Sequence, residues 1–267
     1  MSMKLALIQM DIAWHDREIN RETARKLATR ARESGAEVIV LPEMFSTGFS
    51  MDTAFTAEPL TGPTPTFLRT LASDLGVWVI GGFALARKGA RPHNVSLAVA
   101  PSGSDAALYA KIHLISILEE DLHYDPGRLP APFVLGDLNA ACFICYDLRF
   151  PELFRSVVDT CGLILVIASW PEVRQAHWDA LLKARAVENQ CFVAGVNRVG
   201  EGGGHAFAGG SVILDPLGNP LARADSGESI VTADVDPGLV MNVRRRFPFL
   251  GDRKPLLFEK AAAFRKS

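Results

Sequence analysis

Short apolar, β-branched runs alternate along this chain with longer stretches in which apolar residues return every three or four positions. The first run, residues 4–10, reads as a strand. A helix is predicted over 18–33, where Ile19, Thr23, Leu27 and Ala31 form one stripe among Arg, Glu and Lys, and Gly35 stops it. Residues 37–41 read as a strand, and 64–75 as a helix opened by Pro63 and Pro65 and closed by Gly76. Residues 77–82 form the next strand. The runs 94–100 and 106–110, joined by Pro-Ser-Gly-Ser, have the turn chemistry of a hairpin. Further on come a strand at 139–145, a helix at 151–159, a strand at 163–168, a helix at 174–188 and a strand at 191–197. The remainder, through 212–214 with its Asp-Pro-Leu-Gly-Asn turn and 228–235, reads as a β-meander. Strands alternating with helices, then hairpins, predict an α/β fold with helices packed outside a mixed sheet. Periodicity alone is compatible with one sheet or two.

Composition narrows the class. The 267 residues carry no internal repeat, low-complexity tract or Pro/Gly/Ser linker, so 1–267 is expected to be one domain with a tail from roughly residue 247. With 48% hydrophobic residues the chain can bury a sizeable core. A net charge of −2 without a basic run gives no footprint for nucleic acid or an anionic membrane. No apolar stretch approaches the ~20 residues that span a bilayer, and the start MSMKLALIQMDIAWHD lacks the pattern of a secretory signal. Four cysteines in a chain of this size do not make a disulfide framework, and a reducing cytoplasm is expected.

Three residues of different chemistry share one kind of position. Glu43, Lys111 and Cys145 each follow the last residues of a predicted strand, where loops vary without disturbing the core. A free thiol with pKa ~8.5 is a weak nucleophile until a base or a positive charge assists it. Glu43 can take the proton, and Lys111 can hold the oxyanion formed when the thiolate attacks a carbonyl. Each residue also has a structural reading: a small buried thiol, a capping carboxylate, a solvated lysine. Cys142 and Cys145 spell C-x-x-C, the pattern of a redox pair or half a zinc site. Strand alternation predicts that residues three apart point to opposite faces, and no second C-x-x-C completes a metal cage. Cys142, Cys161 and Cys191 are therefore expected in the core.

The segments LPEMF around Glu43, YAKIHL around Lys111 and CYDLRFPEL from Cys145 resemble the nitrilase, or carbon–nitrogen hydrolase, superfamily. LALIQM near the start and KARAVENQCFVAGVNRVG agree, so the resemblance covers about the whole chain. It implies a single-domain four-layer α-β-β-α sandwich that associates through its helices into at least a homodimer. It also implies cysteine-dependent hydrolysis of a small-molecule amide through a thioester, without metal or cofactor. The family uses a second glutamate between the lysine and the cysteine; counting back from Gly127 matches it to Glu120, with Glu119 the alternative.

Asp147, Arg149 and Glu152 follow the nucleophile closely. Arg149 reads either as a clamp for a substrate carboxylate or, the favoured reading, as an ion-pair partner of Asp147 or Glu152. His113 suggests a Cys–His pair, but the resemblance uses a carboxylate base, which leaves His113 a structural role. The loop ending EDLHY, the CYDLRFPEL run and ASWP near Trp170 are most similar to the omega-amidase branch, which hydrolyses 2-oxoglutaramate and 2-oxosuccinamate. By position, Phe83, His123, Tyr146 and Trp170 are expected to line the substrate pocket. Alternative readings are an amidase or N-carbamoyl hydrolase for another small acyl group, a non-catalytic binding or regulatory member, and a thiol oxidoreductase, which the strand-face argument opposes.

Overall fold

The computed structural model describes residues 2–254. Its apolar runs pair into two large sheets. The first contains β1 (Met3–Gln9), β2 (Val38–Val40), β4 (Trp78–Arg87), β5 (Ala90–Val99), β6 (Asp105–Ala110) and β15 (Ser229–Val235), in the order β15-β1-β2-β4-β5-β6, with the short β3 (Ala57–Glu58) also against β4. The second contains β7 (Phe133–Leu135), β8 (Leu138–Ile144), β9 (Leu163–Ala168), β10 (Phe192–Asn197), β13 (Val212–Leu214) and β14 (Pro220–Arg223), in the order β14-β13-β10-β9-β8-β7. A separate hairpin joins β11 (Val199–Gly202) to β12 (His205–Ala208).

The two halves repeat one plan that no sequence repeat announces. In the first, β1, β2 and β4 run parallel, linked by α1 (Arg17–Glu33) and α3 (Pro63–Leu75), before β5 and β6 turn back antiparallel. In the second, β8, β9 and β10 run parallel, linked by α5 (Pro151–Arg155) and α6 (Gln175–Asn189), before β13 and β14 turn back. Helices cover the outer faces and the sheets meet face to face, which makes the expected four layers.

Alternation along each strand sorts the core into two compartments. Leu5, Leu7, Val38, Val40 and Ile80 face inward and pack with Cys142, Ile144, Leu165 and Ile167 of the second sheet. Their neighbours Ala6, Ile8, Ile39 and Val79 face outward onto Ala24, Leu27, Ala28, Leu68 and Leu71 of α1 and α3. The stripe on α1 is rotated from the expected one: Ile19 is exposed, and Ala24, Ala28 and Ala31 join Leu27 in the contact. Small residues there bring the helix close to the sheet. Asp16 caps α1 by accepting from the amides of Glu18 and Ile19, and Gly76 ends α3 in the left-handed conformation.

Several elements differ from the sequence reading. The helix after Cys145 is shorter, Pro151–Arg155, and the region beyond the meander contains a further helix at Pro237–Arg246. In chain order the remaining helices are α2 (Thr53–Thr56), α4 (Glu120–His123) and α7 (Pro237–Arg246). Helix α7 starts at a capping Asp236 followed by Pro237 and buries Val240 and Val243, three residues apart. Of the tail expected from 247, Phe249–Asp252 forms a 3₁₀ turn, and residues 255–267 lie outside the described residues. Among the described residues no helix is long and apolar enough to cross a membrane.

Candidate active site

The site lies where the ends of strands from both sheets meet. Glu43 follows β2, Lys111 follows β6 and Glu120 opens α4, so the first sheet and its loops supply three charges. Cys145 follows β8 and Ser169 follows β9 in the second sheet. Glu43, Lys111 and Glu120 are completely buried, and Cys145 is buried with them.

The Lys111 ammonium is gripped from two sides. Its Nζ lies 2.9 Å from both oxygens of Glu120 and 3.2 Å from Oε1 of Glu43. Burial alone would lower its pKa, but the two carboxylates outweigh burial and hold it well above the ordinary lysine range. Glu120 also accepts from the Ile115 amide at 2.8 Å, and its pKa is raised by burial against the opposing pull of Lys111. Of the two adjacent glutamates, Glu120 is thus the one brought to Lys111. Glu119 is exposed in the left-handed turn before α4.

Glu43 is held by more partners than Lys111. Asn94 donates to Oε1 at 2.8 Å, and the Ser169 amide donates to Oε2 at 2.8 Å. Asn94 reaches Glu120 as well, at 3.2 Å. Asn197 fixes the Ser169 segment by accepting from the Trp170 amide at 2.7 Å and donating to its carbonyl at 3.0 Å. Neither Asn94, Ser169 nor Asn197 stands out in the sequence. A polar residue within or just after a strand is the signal they leave.

Cys145 sits at φ 45°, in the left-handed region that a residue with a Cβ seldom adopts. The conformation breaks the strand alternation at this residue. Both thiols consequently approach the first sheet, Cys142 toward Ser96 and Cys145 toward Glu43 and Lys111. The face argument separating the two cysteines therefore does not hold, because Cys145 belongs to the turn and not to the strand. They differ instead in what they meet. Burial pushes Cys142 up to about 12. Burial also raises Cys145 well above the usual thiol range; Glu43 adds to the rise and Lys111 opposes it. With two carboxylates and one ammonium around it, the resting residue is a thiol, whose Sγ points to the Ser169 carbonyl at 4.0 Å.

Asp147 holds this turn to the lysine loop. It accepts from the Ile144 amide at 3.2 Å, the Tyr109 hydroxyl at 2.8 Å and the His113 amide at 3.0 Å, with the His113 ring at 2.9 Å. Arg149 is free of it. Among the described residues Arg149 makes no ion pair, which overturns the expected partnership with Asp147 or Glu152; the Asp147 carboxylate is already filled by other donors. The Arg149 guanidinium lies 4.8 Å over the Trp170 ring and 5.7 Å over Tyr146, with His177 Nδ1 3.4 Å away.

A cavity of about 300 Å³ opens onto Cys145 and is lined by Tyr146, Arg149, Trp170, Arg174 and His177, with Ile115 and Ile117 opposite. Tyr146 and Trp170 thus stand at the pocket. Phe83 does not: it faces outward into the layer under α1 and α3, and its inward neighbour on β4 is Gly82. A one-residue change of parity accounts for the difference. His123, half-buried on α4, is likewise not part of the cavity wall.

Three comparisons bear on these coordinates. Residues 4–245 match the carbon-nitrogen hydrolase family model. Among curated relatives, the chain is 32% identical to a 2-oxoglutaramate amidase of Bacillus subtilis, over 96% of this chain and 100% of that protein. It is 36% identical to an omega-amidase of Yersinia enterocolitica, over 96% of this chain and 98% of the relative. Among solved structures it resembles a CN-hydrolase superfamily protein of Xanthomonas campestris with an arsenic adduct in its active site, at TM-score 0.88 and 33% identity, covering 95% of this chain and 98% of the other.

Proposed function

The chain belongs to the carbon–nitrogen hydrolase family, and from that premise we propose that it is an omega-amidase, releasing ammonia from 2-oxoglutaramate or 2-oxosuccinamate by way of a thioester on Cys145. One observation carries the reading: a buried thiol under the influence of Glu43 and Lys111 closes a cavity whose wall holds an arginine with no ion-pair partner among the described residues. Glu43 takes the proton as the sulfur attacks the amide carbonyl, so a thiolate exists only in the presence of substrate. The Lys111 ammonium and the Tyr146 amide, at the start of the 3₁₀ turn Cys145–Arg149, stabilise the oxyanion. Glu43 then gives its proton to the leaving nitrogen, and ammonia departs. Water, deprotonated by Glu43, attacks the thioester and frees the dicarboxylate. Glu120 keeps Lys111 charged and aimed.

At the other end of the acyl chain, Arg149 is the group suited to the substrate carboxylate, since a guanidinium fork matches its two oxygens. The four cysteines are free and buried, which fits a reducing cytoplasm. Association into a homodimer through the outer helices belongs to the same reading, and light scattering on the purified chain tests it.

Ammonia release from 2-oxoglutaramate by the wild type and by Cys145→Ala is the central experiment. The expected result is turnover by the first and none by the second, with the acyl-enzyme trapped by mass spectrometry on Cys145. Turnover by both would overturn the nucleophile. Turnover of a different small amide by the wild type alone would overturn the substrate and keep the chemistry.

A further inference from the structure

The cavity wall carries a second guanidinium, from Arg174, at the start of α6. Its backbone carbonyl accepts from Trp170 Nε1 at 2.8 Å, which ties the residue to the same ring that lies under Arg149. The Arg174 side chain is half-buried and has neither ion pair nor hydrogen bond among the described residues. Among the described residues no carboxylate lines this cavity. Two guanidinium groups therefore line one small volume, while the carboxylates Glu43 and Glu120 lie behind the nucleophile with Lys111 as their partner.

We infer that Arg174 is a specificity-determining residue, which together with Arg149 selects acyl chains ending in a carboxylate and rejects those bearing an ammonium beside it. The inference rests on the omega-amidase reading and sharpens it. One substrate carboxylate neutralises one guanidinium. The second then acts on the neighbouring carbon: it attracts the electron-rich oxygen of a 2-oxo group and repels a 2-ammonium group. A like-charge repulsion within one such cavity is worth about tenfold in affinity. Free glutamine and asparagine, which share the reactive amide with their 2-oxo counterparts, are excluded by charge and not by size. Shape would not achieve this, since an amino group and an oxo group occupy nearly the same space.

Protection of Cys145 from alkylation reads the preference without requiring turnover. Glutarate is expected to protect the wild type at least about tenfold more effectively than glutamate. In Arg174→Met, whose side chain leaves no protein partner behind, that difference shrinks about tenfold, and Arg174→Lys restores part of it. Both variants keep the wild-type urea-unfolding midpoint, which separates a charge effect from damage to the fold. Equal protection by glutarate and glutamate in the wild type, or a preference that persists in Arg174→Met, overturns the inference. The omega-amidase reading fails separately, if 2-oxoglutaramate is not hydrolysed while the glutarate preference still collapses in Arg174→Met.

Discussion

The thiol of Cys145 rests next to a carboxylate, and its reactivity differs accordingly from that of a thiolate–imidazolium pair. Burial and Glu43 raise its pKa, so at neutral pH the protonated form dominates and the thiolate fraction grows as the pH rises. Alkylation of Cys145 by iodoacetamide, followed by peptide mass spectrometry, should therefore accelerate from about pH 7 to about pH 9, where an ion-pair thiolate would show a plateau. Glu43→Gln removes the proposed base and should lower the rate of ammonia release by at least about a hundredfold while leaving the fold in place. Asp147 is a structural counterpart at the same scale. Its carboxylate accepts from two backbone amides and a hydroxyl, and the His113 ring lies within hydrogen-bond distance. Asp147→Asn turns an NH₂ group toward donors that need an acceptor, and a loss of roughly 2–3 kcal/mol in urea unfolding is expected. Tyr109 depends on this contact as well, for its buried hydroxyl donates there and stays protonated throughout the working pH range.

Among the elements, close backbone approaches set where the charges stand. A Cβ at Gly127 would lie 2.1 Å from the Ala110 carbonyl oxygen, and the Gly127 amide donates to the Lys111 carbonyl at 2.8 Å. Gly127→Ala must push the end of β6 aside, and Lys111 with it. A fall of at least about tenfold in kcat is expected, with stability lowered by about 1–3 kcal/mol as in overpacked cores. Much of this level was legible in the sequence. Periodicity located the strands whose ends carry Glu43, Lys111 and Cys145, while Glu120 came from the family resemblance, counted back from Gly127, with Glu119 as the alternative. Parity was the weak point. Phe83 and Gly82 exchange faces with a shift of one residue, and the positive φ at Cys145 suspends alternation where it was used to tell the two cysteines apart. Asn94, Ser169 and Asn197 act through backbone and carboxylate contacts made by chain segments far apart in sequence, which no local pattern encodes. Helix α7 was readable in principle from the Asp236-Pro237 cap, but its short amphipathic stretch follows a strand and carries three arginines in its last turn.

At the scale of the molecule, activity depends on two sheets meeting in register. Ile167 of β9 reaches across to Gly82, where a Cβ would come within 2.9 Å of both its Cδ1 and the Glu43 Cα. Ile167→Ala opens a hole beneath the base, and a loss of about 2–5 kcal/mol is expected in denaturant midpoint, with the slope unchanged. Carboxylate and ammonium come from one half of the chain and sulfur from the other, while β15 from the far end pairs with β1 and closes the arrangement. Neither half holds a complete catalyst. Fragments divided between residues 127 and 145 are therefore expected to be inactive apart, and hydrolysis to appear only where both parts of the chain are joined.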